Sequence, residues 1–453
     1  MAARCLVGLM GVALSLTGTA TVCRAQSAER WAAQQEVAAA KTDRIMADVN
    51  AHKGLLDQYL AMREAYVSDN SQAFHLLFGQ YISWYQSFLG AYPEAMDSFS
   101  IAQHAQPGDN PSPLVEDGYV AQPALAAIPE LAKNYRVVLF NEAHNIALTR
   151  SLTVQLLSRL HDEGFNYFAA ETLVQTDTAL TSRGYPTDNS GFYTEEPIYA
   201  EMVRTALKLG YKVIAYEATT DTNSSDARES EQAQNLYKQV FARDPQARLV
   251  INAGYEHITT SGSYLGGSSM AEHLHKLVAL PMLSVDQTAM YPHPSPDGDH
   301  PYYTAIMEKL RPQGAIVLVN AAGKPWSLRS NYDVNVFFPP SPLIRGRPAW
   351  LTLGELRRPY ATSADPCHAH YPCLVEARYS NEGDDAIPAD RLLLDLAPLE
   401  VSESHVSLYS STQSVPSGNL YLRPGSYRLK FITKGERVVH QENIVVPDTP
   451  THH

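Results

Sequence analysis

The sequence predicts an α/β fold, in which a mostly parallel sheet with helices on both faces is preceded by a helical hairpin and followed by a small β-sandwich. Three observations lead to this class. From about residue 115 to 340, short apolar strands alternate with amphipathic helices, which is typical of a parallel sheet. Apolar residues recur at helical spacing before this region and at period two after it.

The chain of 453 residues is long enough for two or three domains, and its 45% hydrophobic content fits a globular protein with a sizeable core. Proline-rich stretches at 107–113 and 338–342 mark two changes in the spacing of apolar residues. We expect four segments: a signal peptide at 1–25, a helical N-terminal region at 26–112, an α/β catalytic or ligand-binding domain at 113–340 and a β-rich C-terminal domain at 341–453.

The N-terminus has the pattern of a secretory signal peptide. Arg4 precedes the apolar run Cys5–Leu16, and Cys23-Arg24-Ala25 offers a small-x-small cleavage site. This run is too short to span a bilayer, and no later stretch is long and apolar enough to do so. The expected protein is exported, either periplasmic or secreted, and has no membrane span.

The formal net charge is −13, and cleavage of the leader removes two arginines and no acid. An acidic chain without a basic run argues against nucleic acid and anionic lipid as partners. A small-molecule or peptide substrate is the expected ligand class.

Residues 26–112 have helical periodicity in two parts, separated by a turn at 68–71. The first part carries Ile45, Val49, Leu56, Leu60 and Val67, and the second has an aromatic face from 74 to 88. One interpretation is a hairpin packed on the following domain. The other is a lid or a surface for a partner protein.

Five apolar segments of the central region end in acids or histidines. The first, Val137–Phe140, runs through Asn141 into Glu142 and His144. Right-handed crossovers place the carboxyl ends of parallel strands along one edge, where ligands bind. We therefore expect one polar site at that edge. The other four segments end at Glu171, at Glu217, at Glu256 and His257, and at Asp286.

Two chemical interpretations of this edge remain open. Glu142 and His144 alternate along an extended backbone and can face one ligand, and Gly254 permits a close backbone approach near His257. The two imidazoles with Glu142 and Glu171 would suit a divalent cation. Equally, a carboxylate could orient His144 or His257 as a general base acting on water, with no metal present.

Two arginines accompany these residues. Arg228, at the start of a later helix, suits an anion or a developing oxyanion; its alternative is an ion pair with Glu217 or Glu231. Arg150, one helical turn after His144, is expected to form an internal ion pair. The motifs of serine hydrolases, zincins and P-loop proteins are absent from the sequence.

The C-terminal region is expected to form a small β-sandwich from about 374 to 447. Residues 420–431 look like a hairpin. Outside the leader the chain has two cysteines, Cys367 and Cys373, and an exported chain with such a pair favours a local disulfide. A small metal site with His368 and His370 is the alternative.

Taken in order, these polar residues resemble the shared positions of the erythromycin esterase/ChaN-like/Tiki superfamily. Glu142 and His144 follow a strand, Glu171 ends the next, Arg228 opens a later helix, and Gly-x-x-His stands at 254–257. The resemblance covers roughly residues 130–335.

This family has an α/β fold with its site at the strand ends, and it often has glycine where Asn141 stands here. Its members include antibiotic esterases, Wnt-cleaving metalloproteases and haem-binding lipoproteins. The resemblance implies an exported hydrolase of an ester or amide, with Glu142, His144, Glu171, Arg228 and His257 in its site. The alternatives are a non-catalytic protein that binds haem or a metal, and a scaffold that binds a partner protein through its N-terminal helices or C-terminal β domain.

Overall fold

The computed structural model describes residues 21–114, 118–222, 224–395 and 416–448. Most of the expected signal peptide, at 1–25, and the C-terminal tail from 449 therefore lie outside the described residues. None of the helices among the described residues combines the length and apolar character needed to cross a bilayer.

The described elements follow the predicted alternation. The helices are α1 (Thr21–Val49), α2 (Leu55–Val67), α3 (Gln72–Phe88), α4 (Tyr92–Ser98), α5 (Ala124–Ala132), α6 (Leu148–Asp162), α7 (Leu180–Arg183), α8 (Pro197–Leu209), α9 (Ser225–Leu236), α10 (Met270–Val278) and α11 (Pro301–Leu310). The strands are β1 (Val120–Pro123), β2 (Val137–Glu142), β3 (Tyr167–Ala170), β4 (Lys212–Ala215), β5 (Leu249–Gly254), β6 (Met282–Asp286), β7 (Ile316–Val319), β8 (Val334–Asn335), β9 (Leu343–Ile344), β10 (Arg347–Pro348), β11 (Arg358–Ser363), β12 (Cys373–Tyr379), β13 (Asp390–Leu394), β14 (Ser417–Leu422), β15 (Gly425–Thr433) and β16 (Arg437–Val446).

A six-stranded sheet with the order β4-β3-β5-β2-β6-β8 forms the centre of the molecule, and all its pairs are parallel. Strand β2 is buried along its whole length because both faces of the sheet are covered. Val138 and Phe140 face one apolar core, which includes residues of α6 and α8. Leu139 and Ile251 face the other, which includes residues of α9 and α10. The predicted α/β class is confirmed.

The register of the central strands brings their polar ends to one level. Glu142, the last residue of β2, pairs with Gly254 at the end of β5. Ala170, at the end of β3, pairs with Asn252 of β5. Glu171 and the turn after Gly254 therefore emerge beside Glu142, as parallel topology requires.

The N-terminal helices pack against one face of this domain. Their aromatic residues Phe74, Phe78 and Phe88 are buried in the same apolar core as the face of α6 and α8. The first predicted helix is divided into α1 and α2, because the chain turns before α2 at Gly54 with a φ of 86°. A glycine adopts this left-handed conformation without the steric cost that a side chain would bring.

The C-terminal region forms two antiparallel sheets, β11-β14 and β13-β12-β15-β16. Side chains of both sheets, including Leu420 and Phe431, share one apolar core, which confirms a small β-sandwich. The hairpin expected at 420–431 is wrong in its pairing, since β14 and β15 lie in different sheets and β15 pairs with β16. Period-two alternation predicts which face of a strand is buried, but it does not predict the neighbouring strand.

Cys367 and Cys373 form the predicted disulfide, with an S–S distance of 2.10 Å. Both cysteines are fully buried in the core of the sandwich. Because the two sulfur atoms are bonded to each other, they are not available as thiolate ligands. The alternative of a metal site with His368 and His370 therefore loses its cysteine ligands.

Candidate active site

The residues predicted from the strand ends converge around the backbone of Gly254. Glu142 ends β2, His144 lies in the loop after it, and Glu171 follows β3 directly. A 3₁₀ turn after β5, Tyr255–Ile258, carries His257, and α9 brings Arg228 to the same place. Each of these five side chains contacts or closely approaches at least one of the others.

Glu142 is a buried carboxylate held by three donors. The guanidinium of Arg150 contacts both its oxygens, with Nε 2.8 Å from Oε2 and Nη2 2.6 Å from Oε1. Asn252 Nδ2 donates to Oε2 at 2.5 Å. Burial alone would raise the pKa of Glu142, but Arg150 and the neighbouring His144 outweigh it and lower the pKa to about 2. Glu142 is therefore a fixed negative charge, and the internal ion pair expected for Arg150 is present.

His144 is positioned on one side by this carboxylate and on the others by aromatic rings. Its Nδ1 lies 3.5 Å from Glu142 Oε1. Its ring stacks on Tyr193, with centroids 4.3 Å apart, and meets Tyr255 edge-on at 5.1 Å. The side chain is 12% exposed, so it reaches solvent while its orientation is fixed.

Gly254 allows the two halves of the site to meet. A Cβ atom at this position would lie 2.0 Å from His144 Cε1 and 3.1 Å from Glu171 Oε2. The φ of Gly254 is −71°, which any residue can adopt, so the space and not the backbone conformation requires glycine. The close approach expected from the sequence is thus made by the ring of His144.

Glu171 links the remaining residues. It is 5% exposed, and its Oε2 accepts a hydrogen bond from the backbone N–H of Gly254 at 2.6 Å. Its Oε1 lies 3.2 Å from His257 Nε2 and 3.1 Å from Arg228 Nη2. Burial opposes ionisation, yet His257 and Arg228 lower the pKa of Glu171 well below its usual value.

His257 lies between two buried carboxylates. Its Nδ1 is 2.7 Å from Glu229 Oε2 on the side opposite Glu171. Burial would lower the pKa of His257, but Glu171 and Glu229 outweigh this and raise the pKa well above its usual value. A histidine with a carboxylate at each ring nitrogen is an imidazolium that donates from both nitrogens. It is therefore poorly suited to accept a proton from water.

Arg228 combines the two interpretations made from the sequence. It forms the expected ion pair with Glu217, with Nε 3.1 Å from Oε1 and Nη2 3.0 Å from Oε2. Glu231, the other partner considered, instead accepts from the backbone of Thr219 and Thr220. Arg228 also contacts Glu171, and its side chain is 35% exposed. It can therefore still face a ligand.

The four residues considered as metal ligands do not fit a cation as they are arranged. Glu142 has both oxygens engaged by Arg150 and Asn252. His257 has both ring nitrogens within hydrogen-bonding distance of carboxylates, so neither offers a free lone pair. Over the described ranges, no group of three or more His, Cys, Asp or Glu is arranged to hold a metal ion.

Two strand-end acids lie away from this cluster. Asp286 accepts from Asn141 Nδ2 at 2.8 Å and from Asn335 Nδ2 at 2.7 Å, and so joins β2, β6 and β8 in a separate buried network. The side chain of Asn141 points into this network. Glu256 is exposed, whereas the next residue, His257, is buried in the site.

The residues that contact the site and were not identified from the sequence include Tyr199, whose hydroxyl donates to the backbone oxygen of Glu171, and Tyr264, whose ring lies against His257. Asn252 lies inside β5, where an isolated amide gives little signal. Glu229 directly follows Arg228 on α9, and helical periodicity alone does not show that its side chain faces His257. Glu196 precedes Pro197, a Glu-Pro pair at a helix start that could have indicated a cap. Tyr193 lies in a loop without periodicity.

Comparisons with known proteins do not identify a family for this chain. No family model matches the chain, and no curated protein matches it. One similar solved structure, that of the type III effector HopBA1, has a TM-score of 0.31 and 10% sequence identity. The alignment covers 50% of this chain and 99% of that one. A likeness at this level carries no information on function.

Proposed function

We propose that the protein is a hydrolase of an ester or amide bond, in which His144 activates the attacking water without a metal. One observation carries this proposal: the ends of three strands, β2, β3 and β5, and one helix, α9, bring two imidazoles, two carboxylates and an arginine around Gly254. Buried ionisable groups with strongly shifted pKa values, gathered beside a partly exposed imidazole, are typical of sites that do chemistry.

His144 is the residue best suited to be the general base. Its Nδ1 faces the ionised Glu142, which favours a proton on that nitrogen and leaves Nε2 as the acceptor. Nε2 takes a proton from water as the water oxygen attacks the carbonyl carbon. The same proton then passes to the leaving alcohol or amine, and the carboxylic acid product is formed. Glu142 stabilises the imidazolium that exists between these steps.

Arg228, on the other side of the site, suits the developing oxyanion, because it is partly exposed and is held by Glu171. A fixed positive charge aimed at the forming oxyanion stabilises the transition state more than the neutral substrate. Both ring nitrogens of His257 face carboxylates, so His257 would act by holding Glu171 in place. Glu171 would thus orient Arg228 and leave the proton transfer to His144.

The disulfide supports an exported location, periplasmic or secreted, because such bonds persist in oxidising compartments. The signal peptide expected from the sequence supports the same location.

A panel of ester and amide substrates tests this function on protein purified without a metal-binding tag. We expect turnover that a chelator does not reduce and that falls by about 10²–10⁴-fold in His144→Ala. His275→Ala, which removes an exposed histidine of α10, is the matched control and should keep full activity. Full turnover in His144→Ala would refute the assignment. A Soret band on haem addition with no hydrolysis across the panel would instead favour the haem-binding alternative.

A further inference from the structure

The short segment Phe192–Glu196, which we name the junction segment, is where the N-terminal helices, the α/β domain and the C-terminal β-sandwich meet. It comprises a 3₁₀ turn, Phe192–Glu195, and Glu196, the residue that caps α8. Two of its side chains contact the candidate site directly. Tyr193 stacks on His144, and Glu196 Oε2 lies 3.2 Å from Arg150 Nη1.

Glu196 and Arg150 continue the chain of contacts that holds His144. Arg150 is fully buried and binds two carboxylates, Glu142 and Glu196. Its Nη2 also donates to the backbone oxygen of His144 at 2.8 Å. The position of Arg150 therefore fixes both the carboxylate that faces His144 and the backbone that carries it. A shift of Glu196 would reach His144 through a single intervening side chain.

The N-terminal helices hold Glu196 from the far side. Tyr92, at the start of α4, donates its hydroxyl to Glu196 Oε1 at 2.8 Å, and both residues are buried. The N–H groups of Ile198 and Tyr199 also donate to Glu196, each at 2.8 Å. The carboxylate thus has one fixed geometry. Tyr92 supplies the contact to Glu196 that comes from outside the α/β domain.

Further contacts tie the same segment and the His144 loop to the flanking regions. Asn145, next to His144, donates Nδ2 to the backbone oxygens of Ala95 at 3.0 Å and Phe99 at 2.7 Å. The ring of Trp84 lies edge-on to Tyr193, with centroids 6.2 Å apart. Arg391 of the β-sandwich donates Nη1 to the backbone oxygen of Glu195 at 2.6 Å.

We infer that Tyr92 and Glu196 are positioning residues for His144, acting through Arg150 and Glu142, so that the N-terminal helices are part of the catalytic unit. They are neither a lid nor a free surface on this side, because their contacts with the His144 loop are buried hydrogen bonds. The kinetic part of this inference rests on the proposed hydrolase function. The geometric part does not.

Tyr92→Phe in the full chain tests the inference, because it removes one hydroxyl and keeps the ring. We expect kcat to fall on the order of 10-fold with KM unchanged, since a slightly misplaced base slows proton transfer without weakening substrate binding. In spectra of protein with isotope-labelled histidine, the His144 ring signals, identified by their loss in His144→Ala, should shift. Tyr303→Phe is the matched control: its hydroxyl donates to the backbone oxygen of Phe338, far along the chain from these contacts.

The two readouts separate the failure of this inference from the failure of the proposed function. If the wild type turns over no substrate, the hydrolase proposal fails and the His144 signals alone decide the inference. Unchanged His144 signals in a folded Tyr92→Phe protein would overturn it, as would equal shifts in Tyr303→Phe. Glu196→Gln serves as the second variant if Tyr92→Phe does not fold, and the same shift of the His144 signals is expected.

Discussion

A methyl group added at Gly254 would disturb the candidate site directly. The His144 ring and the Glu171 carboxylate both lie where a side chain at this position would project. We expect Gly254→Ala to lower kcat/KM by about 100-fold, because the methyl group must displace the imidazole. Steady-state kinetics measure this directly.

The control for this variant is Gly314→Ala, since nothing lies within 4 Å of an added Cβ there. That variant should keep wild-type activity. Equal activity of Gly254→Ala and the wild type would show that the ring of His144 does not need its observed position.

The site residues found from the sequence share one signal, a charged or imidazole side chain at the end of an apolar strand. Glu142, His144, Glu171 and His257 were identified in this way because parallel topology fixes where strand ends lie. Glu229 was missed because its role depends on the direction of a helical side chain relative to His257. Such a direction is set by tertiary packing, which periodicity does not contain.

At the level of elements, the disulfide closes a short loop at the start of β12, with a sequence separation of six residues. A closed loop of this length should stabilise the sandwich by about 2 kcal/mol through the entropy of the unfolded chain. We expect a reducing agent to lower the melting temperature of the wild type. It should have no further effect on a Cys367→Ser, Cys373→Ser double variant, whose melting temperature should already be lower.

Strands β2 to β6 were predicted correctly because each is a short apolar run that ends in a polar residue. The break before Gly54 was missed because the apolar spacing continues across it from Val49 to Leu56. Strand pairing in the sandwich was missed because period two is the same for every partner strand.

At the scale of the whole molecule, buried ion pairs join the α/β domain to the C-terminal region. Glu201 of α8 lies 3.2 Å from Arg357 Nη2 and also pairs with Arg423. Burial opposes its ionisation, but these arginines lower the pKa of Glu201 from its ordinary 4.5 to about 2. Because the folded pKa is the lower one, ionised Glu201 stabilises the fold above about pH 4.5. This stabilisation is lost as the pH falls toward 2.

Glu201→Gln should therefore reduce the free energy of unfolding at pH 7 by about 3–5 kcal/mol, because it leaves the buried Arg357 without its carboxylate. The difference from the wild type should shrink as the pH falls from 4.5 toward 2. Denaturant unfolding at several pH values measures both effects. Glu308→Gln, an exposed acid of α11, is the control and should change stability little at any pH.

The central claim is that His144 and His257 act in one site on either side of Glu171. A double-mutant cycle on kcat/KM, with His144→Ala, His257→Gln and their combination, tests it most directly. We expect His144→Ala to cost about 10²–10⁴-fold as the loss of a general base. His257→Gln should cost about 10²–10³-fold, because Glu171 would no longer hold Arg228 toward the oxyanion. The double variant should be no slower than the worse single variant, because residues that act as a unit are not additive. Losses that multiply as for independent positions, or full activity in either single variant, would contradict the claim.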